Sequence, residues 1–311
     1  MVWWRPRNPV RVCGWQPDPD GEQMSLWSIL VTPFAEYAFM RSALVACMAL
    51  AVASGPLGTL LLLRRMGLVG NVLSHAVMPG AAIGFALAGS ALAVLSIGGL
   101  LTGIAVVLLV MLGTRFGAQR EDASLAAFYF ASIGVGVLVV SLRGTNVDLM
   151  HVLLGTVLAI DTPALVLIVA IASAVVAVLA FIFRPLAIQS FDSAFLRTMG
   201  GSDSVYRAIF LVLVVLDLVA GFQALGTLLA GVPLLLPAAA ARCWAQRIGP
   251  LVGLSIGFGM TAGYAGLLAS YHLNVPSGPA IACVAALIYA ASTLVPASRV
   301  ALTTFKAARP I

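Results

Sequence analysis

The chain has 311 residues, 61% of them hydrophobic and only 9% charged, with a mean hydropathy of +1.08. A water-soluble domain carries about 25% charged residues, so this composition excludes a surface wetted on all sides and calls for lipid, in spans of roughly 20 apolar residues. The net charge of +6 comes from Lys and Arg placed singly or in pairs between apolar runs, which argues against nucleic-acid binding and for charge sorting across a membrane.

Residues 1–33 read as an N-terminal extension. Within it, residues 1–23 are rich in Arg, Pro, Trp and Asp. They have no apolar h-region and so are not a signal peptide; they are expected to be disordered or the product of a start assigned too early. Phe34 to Leu63 is the first expected span. The uncharged run Met66–Thr114, 49 residues long, must hold two, with Gly89-Ser90 as the turn. Ala123–Leu142 and Thr162–Phe183 follow. Ala208–Ala241 contains one charge, Asp217, and is long enough for two short spans split near Leu225-Gly226. Ile248–Ser298 holds two more, divided around His272–Ser277. The expected fold is therefore all-α, a polytopic transmembrane helical bundle of eight or nine spans over residues 34–298. Residues 299–311 form a tail. LMHVLLGTVLAI (149–160) is too short to cross and reads as a half-helix.

Alternating spans put Arg64, Arg65, Arg115, Arg120, Arg184, Arg197, Arg207, Arg242, Arg247, Arg299, Lys306 and Arg309 on one side. By the positive-inside rule that side is cytoplasmic. Small-residue steps such as Gly134-x-Gly136 and Gly253-x3-Gly257-x-Gly259 suit close helix packing. The four cysteines are far apart in sequence and read as small buried hydrophobes. No GxxxxGK[ST] phosphate loop occurs, and the one lysine, Lys306, lies in TTFKAAR. No catalytic motif is present, so an enzyme is not expected.

Polar groups inside apolar spans are costly and therefore candidates for function. Asn71 and His75 stand at i and i+4, on one helix face. Imidazole ligates transition metals, whereas an amide oxygen is a weak, hard donor. Pro79-Gly80 one turn later is expected to break the helix after His75 and free carbonyls to line a cavity. The bland alternative is a kink with a hydrogen-bonded His75. Asp217 can pair with a histidine, bind a cation or relay a proton, or it can reach Arg207 near the end of its span. His151 and His272 read better as a hydrogen-bonded residue and a solvated loop residue. The charged stretch RPLAIQSFDSAFLRTMGGSDSVYR (184–207) reads as a short cytoplasmic helix. Asp192 or Ser193 would cap it, Phe195 and Met199 would share a face with Leu196 beside it, and Gly200-Gly201 would stop it. Its apolar stripe suits a partner protein or the membrane surface.

Five stretches, in order and spaced over Gly55 to Ser292, resemble the permease subunits of divalent-metal (zinc, manganese, iron) ATP-binding-cassette transporters. They are GPLGTLLLLRRMGLVGNVLSHAVMPG, DLMHVLLGTVLAI, FDSAFLRTMG, GTLLAGVPLLLPAAAAR and SYHLNVPSGPAI. The resemblance implies a multi-pass subunit of a bacterial plasma (inner) membrane, working as a homodimer in the lipid bilayer, with ATP hydrolysis supplied by a separate subunit. It implies a cytoplasmic ATPase docked on the loop that includes Asp192, Phe195, Leu196, Arg197, Met199 and Gly200. It also implies an extracytoplasmic metal-binding protein and a transported zinc or manganese ion in place of any resident cofactor. His75 matches the family's metal path. Asn71 departs from the usual Asp, and Asn274 from the Asp common before the PSG motif; each loses a negative charge useful to a hard dication. Asp217, where the family is usually apolar, is expected to supply charge from another helix. The rival readings are a proton-coupled cation carrier with Asp217 and His75 as relay, a permease for a metal chelate or other small solute, and a non-transporting scaffold.

Overall fold

Backbone N–H and C=O groups in lipid must be satisfied within the chain, so apolar runs of this length fold as helices. A computed structural model describes residues 30–88, 92–116, 130–131, 134, 160–191, 198, 202–226 and 229–307. The described elements are α1 (Thr32–Glu36), α2 (Ala38–Leu63), α3 (Gly67–Ala88), α4 (Leu92–Phe116), α5 (Thr162–Phe191), α6 (Asp203–Leu225), α7 (Val232–Arg242), α8 (Ile248–Leu273) and α9 (Ser277–Ala307). Seven of these, α2 to α6 with α8 and α9, have 22 residues or more, enough to cross a bilayer. The protein is an all-helical, multi-pass membrane bundle. The expected span Ala123–Leu142 lies outside the described residues, except for helical Phe130, Ala131 and Gly134.

Helix α2 is the hub: it packs on α5, α6, α7 and α8. Its side chains Leu57, Leu60 and Leu61 join Leu73 and Val77 of α3 and Phe210, Val214 and Leu218 of α6 in one core. Met40 and Leu50 join Ile168 of α5, Ala224 of α6 and Leu267 of α8 in another. Helix α5 keeps a largely open outer face, with Val166, Val169, Val178 and Phe181 exposed, as lipid contact requires.

Helix α3 runs unbroken through Pro79 and Gly80. This corrects the expectation of a broken helix after His75. Pro79 supplies no N–H to the carbonyl four residues earlier, yet tertiary packing holds the helical path. A Cβ on Gly80 would sit 2.0 Å from the Gly98 carbonyl oxygen, and one on Gly98 would sit 2.3 Å from that of Gly80. The two backbones therefore touch directly, and α4 splints α3 at the proline. The discontinuity lies elsewhere. Helix α6 ends at Leu225, with Gly226 at φ 87° as its cap, and α7 restarts with Pro233 in its first turn. At 11 residues, α7 is about 16 Å long, half a bilayer core. Ala208–Ala241 is thus one full span and one half-length helix, not two short spans, because α6 begins five residues earlier at Asp203.

Other expectations divide. The α8–α9 junction falls where expected, with Asn274 in the left-handed region at φ 52°. Helix α9 continues past residue 298 to Ala307, into the stretch expected to be tail. Among the described residues nothing lies within 4 Å of a Cβ placed on Gly134, Gly253 or Gly257, while Gly259 of the expected step lies against Ala51, and Gly55, Gly58, Gly263 and Gly266 also make close approaches. Cys47 is buried as expected, whereas Cys283 is exposed.

Candidate functional site

Helix α3 has two unlike faces. Val69, Leu73, Ala76, Val77 and Gly80 are buried against the rest of the bundle. Val77 meets Gly99 and Gly103 of α4, which in turn meet Val219 and Val215 of α6. His75 lies about 160° around the helix from Val77, on the side turned away from that core, and is half-buried. Position 71 is one turn earlier on the same side by register. Pro79, one turn later, is buried.

Asp217 points elsewhere. It is about 160° to 200° around α6 from Val219 and Val215, the residues that meet the α3–α4 pair. It is 2% exposed. Ser54 of α2 donates to its Oδ2 at 2.8 Å, and its Oδ1 has no hydrogen-bond partner among the described residues. Within one chain the structure therefore does not bring Asp217 together with His75, and Asp217 does not reach Arg207 either. Arg207 instead pairs with Asp203 at 3.2 Å, one turn away on α6. Among the described residues no three His, Cys, Asp or Glu side chains converge as a metal site. His272 is exposed in the last turn of α8, edge-on to Tyr271, rather than in a loop.

The ends of α2, α5 and α6 meet at the side expected to be cytoplasmic, and a polar joint ties them. Arg64 Nε donates to Ser190 Oγ at 3.1 Å. Its Nη2 donates to Gln189 Oε1 at 2.8 Å and to the Leu186 carbonyl at 3.3 Å. The guanidinium also lies 4.3 Å from the Phe210 ring centre, a cation–π contact. Gln189 Nε2 then donates to the Asp203 carbonyl at 2.8 Å and to its Oδ1 at 2.7 Å. Burial, then the nearby Arg207 charge, pull Arg64 down to about 10, against the opposing pull of Asp203; it remains cationic at neutral pH.

Arg64 also caps α2. The Met66 N–H returns to the Leu61 carbonyl at 2.9 Å and the Arg65 N–H to that of Leu62 at 3.1 Å. This is a Schellman turn, with Arg65 at φ 59° where glycine is usual. Two residues later α3 begins. Sequence reasoning placed Arg64 and Arg207 at this end but missed the joint, whose other members are an ordinary Gln, Ser and Asp in a charged stretch. The loop residues Asp192, Phe195, Leu196, Arg197, Met199 and Gly200 lie outside the described residues, as do His151 and its half-helix up to residue 159.

The profile of the ABC 3 transport family matches residues 36–296. The manganese import system permease protein ScaB of Streptococcus parasanguinis is 28% identical over 254 residues, 82% of this chain and 89% of that protein. The manganese transport system membrane protein MntC of Halalkalibacterium halodurans is 29% identical over 268 residues, 86% of this chain and 90% of its own. Among solved structures, PsaBC from Streptococcus pneumoniae in complex with Fab superposes with a TM-score of 0.75 at 27% identity, covering 85% of this chain and 94% of that one.

Proposed function

The chain belongs to the ABC 3 transport family, and on that premise we propose that it is the permease subunit of an ATP-driven importer of divalent transition-metal ions, manganese before zinc. The observation that carries this reading is the similarity, over 82% and 86% of the chain, to two relatives named for manganese import and transport. The subunit resides in a bacterial plasma membrane. A separate cytoplasmic ATPase hydrolyses ATP and docks on the loop around Asp192 to Gly200. A separate extracytoplasmic protein delivers the ion. Two copies of the chain form the conducting unit.

In this reading His75 and Asn71 line the path. What supports it is that the His75 side of α3 is turned away from the chain's own core, where a second copy can meet it. Each copy then offers one imidazole and one amide to the ion. Without a carboxylate at position 71 the site holds a dication weakly, which suits a path that must release as well as capture. Asp217, buried beside Ser54, supports the interior of each copy instead.

The test is uptake of radiolabelled manganese into proteoliposomes. Uptake that needs the ATPase, ATP and the loaded delivery protein together, and that unlabelled manganese competes better than zinc, is the expected result. Uptake by the chain alone would overturn the reading in favour of a proton-coupled carrier.

A further inference from the structure

Three helix ends and one side chain meet at the cytoplasmic joint. Helices α5 and α6 are the two arms of the connection 192–202, and Gln189 on the first arm is bonded to Asp203 on the second. Arg64 grips the first arm through Gln189, Ser190 and Leu186 and lies against Phe210 of the second. Arg64 is also the cap of α2, only three residues before α3. The turn between them is short and closed by two backbone bonds, so a displacement of Arg64 is handed to the first turn of α3 with little slack. His75 is in the third turn of that helix, about 12 Å along its axis.

We propose that Arg64 is a positioning residue that links the facing ends of α5 and α6 to α3, so that movement of those two helix ends shifts the His75 face. This rests on the reading that an ATPase docks on the connection. The chemistry favours arginine. Its planar fork holds Gln189 and Ser190 from different nitrogens while its face rests on an aromatic ring, and a lysine ammonium cannot do all three. Gln189 makes the joint directional. Its oxygen accepts from Arg64, so its nitrogen is turned to Asp203, and the two arms move as one body. Arg207 on the far side of Asp203 completes an alternation of cation, amide, carboxylate and cation.

The experiment measures manganese ions taken up per ATP hydrolysed, in proteoliposomes holding the full complex, for wild type, Arg64→Lys, Gln189→Ala and the double variant. The expected result is an assembled complex with ATPase activity within about twofold of wild type and a transport ratio about fivefold or more lower. The double variant should be no worse than the weaker single, because both cut one link. An unchanged ratio in both single variants overturns the proposal, and so does a proportionate fall of ATPase and uptake, which marks a structural role only. If Arg64→Lys fails to assemble, the ratio for Gln189→Ala decides alone. Wild-type complex that takes up no manganese removes the importer reading, and this proposal with it; an importing wild type with uncoupling-free variants removes only the proposal.

Discussion

Arg64 is a half-buried ionisable group and Asp217 a fully buried one, and the molecule treats them oppositely. Arg64 makes three hydrogen bonds and a ring contact at the end of the bundle. Asp217, in the interior of the bundle, has one hydroxyl on one oxygen and, among the described residues, no partner on the other. A cation held by several partners is a fastener: it ties three helix ends to one another. An under-supplied buried carboxyl costs free energy. It sits where α2 and α6 cross and not on the His75 side of α3. On the proposed reading, the contrast puts mechanical linkage at the helix ends and leaves the interior as a support for the path.

Removing the fastener should have the larger effect. Arg64→Ala strips charge-assisted bonds from Gln189 and Leu186 and should lower stability by about 2–3 kcal/mol, seen as a lower midpoint of thermal unfolding in detergent. Ser54→Ala leaves both Asp217 oxygens unmatched and should cost about 1–3 kcal/mol; adding Asp217→Leu should recover most of that, because two apolar groups leave nothing unsatisfied. If the double variant is no better than Ser54→Ala, the account of Asp217 as an under-supplied group is wrong.

The pH response separates the two regions further. Burial holds the Arg64 guanidinium below its ordinary range, at about 10. From there up to that ordinary range the folded state binds fewer protons than the unfolded one, and this group's share of stability rises with pH. Its hydrogen bonds as a cation weaken over the same window. The uptake-to-ATP ratio should accordingly be flat across neutral pH and fall only as pH nears 10. A step near neutrality would assign the coupling to another group. The smallest effect concerns the turn beside Arg64. Arg65 is exposed at φ 59°, so Arg65→Gly should raise stability by up to about 1 kcal/mol, measured by the same thermal transition.

Much of this was legible in the residues. Uncharged runs marked the spans, Gly226 marked the end of α6, and the arginines marked the end where the joint forms. What was not legible depends on partners distant in sequence. Pro79-Gly80 looked like a break because a local signal carries no record of Gly98, whose backbone lies against Gly80. Arg64 finds its partners 122 to 126 residues away, and Asp217 finds Ser54 at a separation of 163. A lone Asp and a lone Ser in two apolar helices are a signal that they pair, but they do not say so until the helices are packed. The direction of His75 was half legible. Its register with Asn71 is a property of any helix; its orientation away from the core depends on which valines α4 and α6 cover.

The most direct test of the central claim is manganese uptake by the reconstituted complex with His75→Ala in both copies. Assembly and ATPase activity should be retained, and uptake should fall to the level of liposomes without permease. Uptake equal to wild type would contradict the assignment of the path to the His75 side of α3.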